Sequence, residues 1–447
     1  MTDGVAKKLI PYFIIIKMNY EETLQYLQNQ LPMFQQVGAS AMKVGLGNII
    51  ELTDYLDTPQ ANYQTIHIAG TNGKGSTAHI LAGILQAQGL KVGLFTSPHY
   101  RDFRERIKIN GQYITEKAVV EFVEKHRNEL EKICPSYFEM TVALAFDHFK
   151  NEQVDIAIIE TGLGGKDDST NIIQPILSII TNISLEHTHI LGDTLAEIAL
   201  AKAGIIKFKT PIIIGEEQTE TAPIFIKKAK EQEAPITFAT KKIQIQAVRG
   251  DYKSSIVNVF DHDKHLLLPE LEAQLFGNYQ IKNLKTALVA VQVLNEKCGF
   301  QITKKAIYKG TKQIKSLTNM IGRWDVLGEK PLILADSGHN FAGIQYVVEQ
   351  LSTINYQKLH IVFGMVGDKD IQKILAILPK TAQYYFTKPS ITRALNEQNL
   401  AKQARFFSLE GNIFLTVNQA LNAAKANAQS NDLVFVGGSS YVVAEVI

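Results

Sequence analysis

The stretch Tyr63–Ser76, YQTIHIAGTNGKGS, constrains what this chain can fold into more than any other. Gln64–Ala69 is a short, partly β-branched run of the kind that forms a strand. It stops at Gly70, and Thr77–Gln88 (TAHILAGILQAQ) spaces its apolar residues as a helix does before Gly89, a good residue just past a helix end. A glycine-rich turn between strand and helix aims backbone N–H groups and a helix N-terminus at one spot, which suits phosphate oxygens. Lys74 adds a mobile charge for the outer phosphates. Gly70, Thr71, Asn72, Gly73, Lys74, Gly75, Ser76 and Thr77 are therefore the candidate nucleotide-binding residues. One departure from the usual loop stands out: Ser or Thr should follow Gly73-Lys74 directly, whereas Gly75 intervenes before Ser76.

A length of 447 residues predicts two or three domains, each large enough for its own core. Composition is that of a globular protein, 45% hydrophobic and 20% charged. The net charge of +2 comes with no polybasic run, so charge suggests neither nucleic acid nor an anionic membrane as partner. Cys134 and Cys298 have no metal-like spacing and make no disulfide framework, which fits a reducing cytoplasm. Lys7-Lys8 followed by Leu9–Ile16 resembles the start of a signal peptide. The apolar run is too short to span a bilayer and no small-residue cleavage site follows. We read 1–17 as an extension upstream of a start at Met18, with a processed signal as the alternative.

Tyr20–Gln30 and Asn48–Tyr55 read as helices, broken by Pro32 and by Asp57-Thr58-Pro59. Lys91–Phe95, Val154–Ile159, Ile176–Ile180 and Pro211–Ile214 read as buried strands, with helices at Glu116–Lys132, Met140–Lys150 and Gly192–Ala203 between them. This alternation predicts βαβ units and a mostly parallel sheet. Lys242–Leu268 changes character to alternating strands with charged turns, an antiparallel patch, before helix returns at Gly277–Leu294. Near Lys315–Gly322 the pattern restarts, with strands at Pro331–Ala335, Leu359–Phe363 and Leu433–Val436, which predicts a second, smaller α/β domain.

In a parallel sheet, ligands bind beyond the carboxyl ends of the strands. Gly70, Ser97, Glu160 and His187 each lie just past such an end, so they should line one crevice. Nucleotide phosphates need Mg²⁺, which takes hard oxygen ligands. Ser97 and Glu160 suit that role, and chemistry alone leaves His187 open.

These residues carry a resemblance. The chain resembles the folylpolyglutamate synthase/dihydrofolate synthase family within the Mur ligase superfamily, from about Asn19 to the C-terminus. The motifs are Gly70–Ser76, Thr96-Ser97-Pro98-His99, Phe103–Arg106, Glu160–Gly165 with Ser169-Thr170-Asn171, Leu185-Glu186-His187, Leu191–Thr194 and Lys202–Lys207. Later come Gly277–Gln280 with Asn283, Gly322-Arg323, Asp336–Asn340 and Asp368-Lys369-Asp370. The extra Gly75 is itself a mark of this branch. The resemblance implies an α/β fold: a P-loop Mur-ligase-type central domain at 18–316, with the mostly parallel sheet and antiparallel patch, and a Rossmann-like C-terminal glutamate-ligase domain at 317–447.

It also implies roles. Ser97, Glu160 and His187 match metal ligands, and Lys202 matches a lysine that the family carbamylates to bridge a second magnesium. The residues alone would make Lys202 a solvated helix lysine. Lys74, Lys202 and His187 are the expected catalytic groups. Asn283, Arg323 and Asp336, with His339 nearby, match nucleotide contacts; Ser136, Tyr137, Phe138, Glu139, Asp167, Asp168 and Ser169 match the pterin side. The implied reaction joins L-glutamate to dihydropteroate or to the terminal glutamate of a folate, with ATP and two Mg²⁺, in a monomer. The chain departs from the family at Lys166-Asp167-Asp168 (usually Arg-Leu-Asp), at Ser337-Gly338 and Phe341 in the usual Asp-Gly-Ala-His-Asn-Pro, at Glu186 (usually Asp) and at Ala201 (usually Glu). Two other readings compete: a ligase acting on a UDP-linked cell-wall precursor, and a P-loop nucleotide switch without ligation.

Overall fold

The computed structural model describes residues 18–31, 45–275, 277–367 and 371–447. The leading residues 1–17, Pro32 and the motif Asp368-Lys369-Asp370 lie outside the described residues.

The first sheet has eight strands: β1 (Gln64–Ala69), β2 (Val92–Phe95), β3 (Ile107–Ile109), β4 (Gln112–Tyr113), β5 (Ile156–Glu160), β6 (Leu177–Ile180), β7 (Ile212–Ile214) and β8 (Ile236–Phe238). Their spatial order is β4-β3-β2-β5-β1-β6-β7-β8, antiparallel only where β2, β3 and β4 pair. The inner strands are continuous apolar runs because both faces are covered. One face packs on helices Lys74–Ala87 and Asn278–Lys297 through Ile80, Ile84 and Leu288. The other packs on helices Gly47–Tyr55, Glu116–Ile133 and Tyr137–Asn151 through Leu52, Val123 and Phe146. β1 lies between β5 and β6, so the chain crosses the sheet in both directions from it. The carboxyl ends of β1, β2, β5 and β6 thus open at a switch in strand order, where a crevice forms.

The antiparallel patch is a three-stranded sheet of β9 (Ile243–Gly250), β10 (Ser255–Asp261) and β11 (Leu266–Ala273). A third sheet holds β12 (Asp325–Glu329), β13 (Leu332–Asp336), β14 (Leu359–Phe363), β15 (Gln383–Phe386), β16 (Gly411–Ile413) and β17 (Leu433–Gly437). Their order is β12-β13-β17-β14-β15-β16, parallel except for β12 against β13.

Between the first and third sheets the chain makes a short helix, Ile314–Thr318, and then turns through three left-handed residues: Asn319 (φ 50°), Gly322 (φ 75°) and Trp324 (φ 46°). The helix is fixed to the first sheet's side. His79 Nδ1 meets Thr318 Oγ1 at 2.8 Å. Because that hydroxyl donates its own hydrogen to Ile314 O at 2.7 Å, His79 is the donor. The buried Lys108 ammonium closes the helix end, donating to Thr318 O at 3.4 Å and Asn319 O at 3.0 Å.

Candidate active site

β1 runs straight into the glycine-rich loop. A Cβ on Gly70 (φ 149°) would collide with Thr181 Oγ1, and one on Gly73 (φ 84°) with Asn283 Oδ1, so the backbone approaches its neighbours as only glycine allows. The loop is braced from the end of β6: Thr71 N donates to Asn182 O at 2.9 Å, Asn72 N to Asn182 Oδ1 at 3.1 Å, and Thr181 Oγ1 to Asn72 O at 2.6 Å. The helix starts at Lys74 rather than at Thr77, so Lys74, Gly75 and Ser76 form its first turn. No side chain caps it, which leaves its leading N–H groups for a ligand. Ser76 Oγ and Thr77 Oγ1 are buried without a hydrogen-bond partner among the described residues. This cradle fits phosphate oxygens.

Lys74 Nζ folds over the loop, donating to Gly70 O at 3.1 Å and Thr71 O at 3.3 Å. Lys202 Nζ donates to the same Gly70 O at 2.9 Å. Lys202 is buried, at 4% exposure, so the reading of it as a solvated helix lysine is wrong. It ends helix Leu195–Lys202, and that end is tucked under the phosphate loop and the 162–168 turn, where Lys166 N donates to Ala201 O. Burial, with the Lys74 charge adding to it, pushes the Lys202 ammonium down to about 7. An amine of that kind is substantially neutral near pH 7 and able to react with CO₂.

Ser97, Glu160 and His187 line one cavity of about 320 Å³, together with Gly75 and Ser76. Glu160 closes β5 and is buried, not a solvated strand end. Its Oε2 accepts Ser97 N at 3.1 Å, and the position of a Cβ on Gly75 would lie 3.5 Å from Oε2. Burial raises its pKa, while the Lys74 charge pulls the other way. His187 holds a left-handed conformation (φ 52°) at the start of the short helix Thr188–Leu191. A hydroxyl, a carboxylate and an imidazole around the first turn of a phosphate-type helix form a donor set that fits a divalent cation.

The same cavity takes in every residue expected on the pterin side. Ser136–Glu139 opens helix Tyr137–Asn151, which begins three residues before the expected Met140. Ser136 Oγ accepts Glu139 N at 3.2 Å and Glu139 Oε2 accepts Ser136 N at 2.6 Å, a reciprocal cap. These two side chains satisfy each other and fix the turn from which Tyr137 and Phe138 line the cavity. Asp168 is buried and holds its own loop, accepting Leu163 N at 2.7 Å, Thr170 N at 3.0 Å and Thr170 Oγ1 at 2.5 Å. Asp167, by contrast, is exposed, and Ser169 is half-buried.

A second, smaller hollow is lined by Asn72, Gly73, Asn283, Arg323, Asp336 and His339, among others. Asn283 Nδ2 donates to Gln280 Oε1 at 2.9 Å, which turns its Oδ1 towards Gly73. The Asp336 carboxylate is held within the protein: it accepts Tyr279 OH at 2.8 Å, Trp324 N at 3.1 Å and Gly338 N at 2.9 Å, and burial raises its pKa. His339 Nε2 lies 2.8 Å from Glu186 Oε1, and Asn340 Nδ2 donates to Asn72 Oδ1 at 2.9 Å, so the third sheet's loops touch both the Glu186-His187 segment and the glycine-rich loop. Arg323, Ser337 and His339 line both cavities.

Sequence reasoning missed several lining residues. Arg106 is buried in the larger cavity and donates Nε to His99 Nδ1 at 2.7 Å. Its signal was the charge density of Phe103–Arg106. Tyr100, Arg393 and Tyr441 also line that cavity, and nothing in local spacing marks them.

Comparison with known proteins follows the same outline. A family model described as Mur ligase middle domain matches residues 68–291, and one described as Mur ligase, glutamate ligase domain matches residues 322–440. A probable bifunctional folylpolyglutamate synthase/dihydropteroate synthase of Haloferax volcanii is 33% identical over 96% of this chain and 50% of its own length. The chain therefore spans about half the length of that relative. The folylpolyglutamate synthase of Lacticaseibacillus casei is 30% identical over 96% of this chain and 98% of its own. A solved bifunctional folylpolyglutamate synthase/dihydrofolate synthase with Mn, AMPPNP and L-glutamate bound is similar at a TM-score of 0.82, with 27% identity, covering 96% of this chain and 97% of that one.

Proposed function

The chain belongs to the folylpolyglutamate synthase/dihydrofolate synthase family of Mur ligases, and on that premise we propose that it joins L-glutamate to dihydropteroate, to the terminal glutamate of a (tetrahydro)folate, or to both. It is an ADP-forming acid–amino acid ligase that uses ATP and a divalent metal. The observation that carries the substrate assignment is a single cavity in which Ser97, Glu160 and His187 face Phe138, Asp167 and Ser169 beside the first turn of the phosphate-loop helix.

In this reading a carboxylate oxygen of the folate-type substrate attacks the γ-phosphorus of ATP, and ADP leaves. The amine nitrogen of L-glutamate then attacks the acyl carbon; phosphate leaves and an amide remains. The loop N–H groups, Ser76, Thr77 and Lys74 hold the phosphates, with Asn283, Arg323, Asp336 and His339 around the rest of the nucleotide. Such a transfer needs positioning and neutralised charge more than covalent help from the protein. Ser97, Glu160, His187 and carbamylated Lys202 would hold two Mg²⁺, which supply charge neutralisation at the phosphates. Phe138 and Tyr137 would flank the pterin, and Asp168 would fix the loop that presents Asp167 and Ser169. Residues 18–316 and 317–447 act as ATP-binding and glutamate-ligase units, and closure between them keeps water from the acyl phosphate. We place the enzyme in the cytoplasm as a monomer acting on small molecules. Among the described residues no helix is long and apolar enough to cross a membrane.

The test is ADP release from purified protein given dihydropteroate or tetrahydrofolate separately, each with ATP, Mg²⁺ and L-glutamate. Turnover that requires both the folate-type acid and glutamate is expected, and Glu160→Ala should abolish it with the fold retained. Glutamate-independent turnover would make the chain a nucleotide switch. Turnover only with a UDP-linked acid would make it a cell-wall ligase.

A further inference from the structure

Arg323 stands at the junction of the two cavities, and its placement does not come from its own segment alone. Its Nη1 donates to Tyr100 OH at 2.6 Å, to Gly322 O at 2.9 Å and to Ser337 Oγ. Tyr100 belongs to the opposite side of the cleft, three residues beyond Ser97. Its hydroxyl also lies 3.0 Å from Ser337 Oγ and 3.4 Å from Gly322 O. The backbone that carries this ring is rigid, because the Glu105 carboxylate accepts Tyr100 N at 2.6 Å and both Arg101 N and Asp102 N at 2.9 Å. On the other side Gly322 is left-handed (φ 75°), and a Cβ there would overlap the Tyr100 ring, so the two segments fit only with glycine at that position. Ser337 supplies a hydroxyl where the family pattern has glycine.

We propose that Tyr100 is a positioning residue: its hydroxyl, seated with Ser337 and Gly322 O, holds the Arg323 guanidinium at the junction of the cavities and ties the Ser97 loop to the C-terminal domain. A phenol oxygen and a guanidinium form a charge-assisted bond, stronger than a neutral pair. Arg323 has several rotamers available to a long side chain, and the bond selects one of them. The proposal rests on the reading of Arg323 as a nucleotide contact, which the same experiment checks separately.

The test is a double-mutant cycle read by ADP binding in Mg²⁺, by KM for ATP and for the folate-type acid, and by thermal midpoint. Tyr100→Phe keeps the ring against Gly322 and removes only the hydroxyl. It should weaken ADP binding roughly tenfold (about 1.4 kcal/mol), raise KM for ATP alike and by more than KM for the folate-type acid, and leave the thermal midpoint near wild type. On an Arg323→Met background Tyr100→Phe should have no further effect on ADP binding. Wild-type ADP affinity in Tyr100→Phe, or the same tenfold loss in both backgrounds, overturns the proposal. Wild-type ADP affinity in Arg323→Met instead overturns the underlying reading of Arg323. If Tyr100→Phe lowers the thermal midpoint, Ser337→Ala, which withdraws one partner from the same cluster, should still weaken ADP binding; no effect there also overturns the proposal.

Discussion

Gly162→Ala separates the proposed pterin side of the cavity from the proposed nucleotide side. Gly162 does not have a left-handed conformation, so alanine brings no backbone strain and the effect is steric alone. Its Cβ would lie 2.8 Å and 2.9 Å from Cε1 and Cε2 of Phe138, and closer still to Cζ. Phe95, fully buried, packs against the same ring with centroids 6.0 Å apart, which restricts how far the ring can move away. The ring lines the cavity of about 320 Å³, and displacement into that space is the expected response. In the free enzyme that movement has room, so stability should change little. With a pterin in place the ring and the ligand compete, and overpacking of this kind costs about 1–3 kcal/mol. The expected result is a KM for dihydropteroate raised roughly 5- to 150-fold at saturating ATP, with KM for ATP unchanged, read by ADP release. On a Phe138→Ala background the methyl group has nothing to displace and the effect should vanish. An equal rise in KM for ATP, or an undiminished effect in the double variant, refutes the reasoning.

Carbamylation of Lys202 should give a carbamate resonance in ¹³C-bicarbonate that is missing from Lys202→Gln; a wild-type protein without it removes Lys202 from the metal site. Lys108, held down to about 8 by burial against 10.5 in the unfolded chain, makes stability pH-dependent. The unfolded state binds the extra proton between those values, so stability should rise by roughly 3 kcal/mol from pH 8 to 10.5 and show the full cost of the buried charge below 8. Lys108→Met should lose this slope in urea titrations across that range; an unchanged slope refutes it. Asp168→Asn puts an amide N–H₂ opposite donors of the 163–170 loop, and should cost about 1–3 kcal/mol in unfolding free energy and raise KM for the folate-type acid more than for ATP. Equal KM values in variant and wild type would count against that role.

The strands that were legible are those buried on both faces. Gln64–Ala69 and Leu359–Phe363 were bounded to the residue, since a strand-like run that stops at glycine leaves little choice. The hairpin of β3 and β4, and β12, β15 and β16, were not read: they are short, and several lie at sheet edges where polar residues interrupt the pattern. The helix at Lys74 was placed three residues late because Gly73 and Gly75 look like turn residues, though only Gly73 is left-handed. Ser136–Glu139 carried a readable signal, a serine three residues before a glutamate, that marks a helix start. The convergence of Ser97, Glu160 and His187 followed from strand ends. The burial of Lys202 did not, because it depends on the 162–168 turn folding back over a helix end, a contact that no local pattern encodes.

The clamp on Ile314–Thr318 has a mechanical corollary. With His79 and Lys108 holding that segment to the phosphate-loop side, the proposed closure of the C-terminal domain would turn about the next few residues, where Asn319 and Gly322 bend the chain. Met320 and Ile321 occupy the same few residues and also form part of the larger cavity's wall. If the two units open and close as proposed, opening would also take this wall apart, so that letting product go and losing grip on the next acid would be one movement.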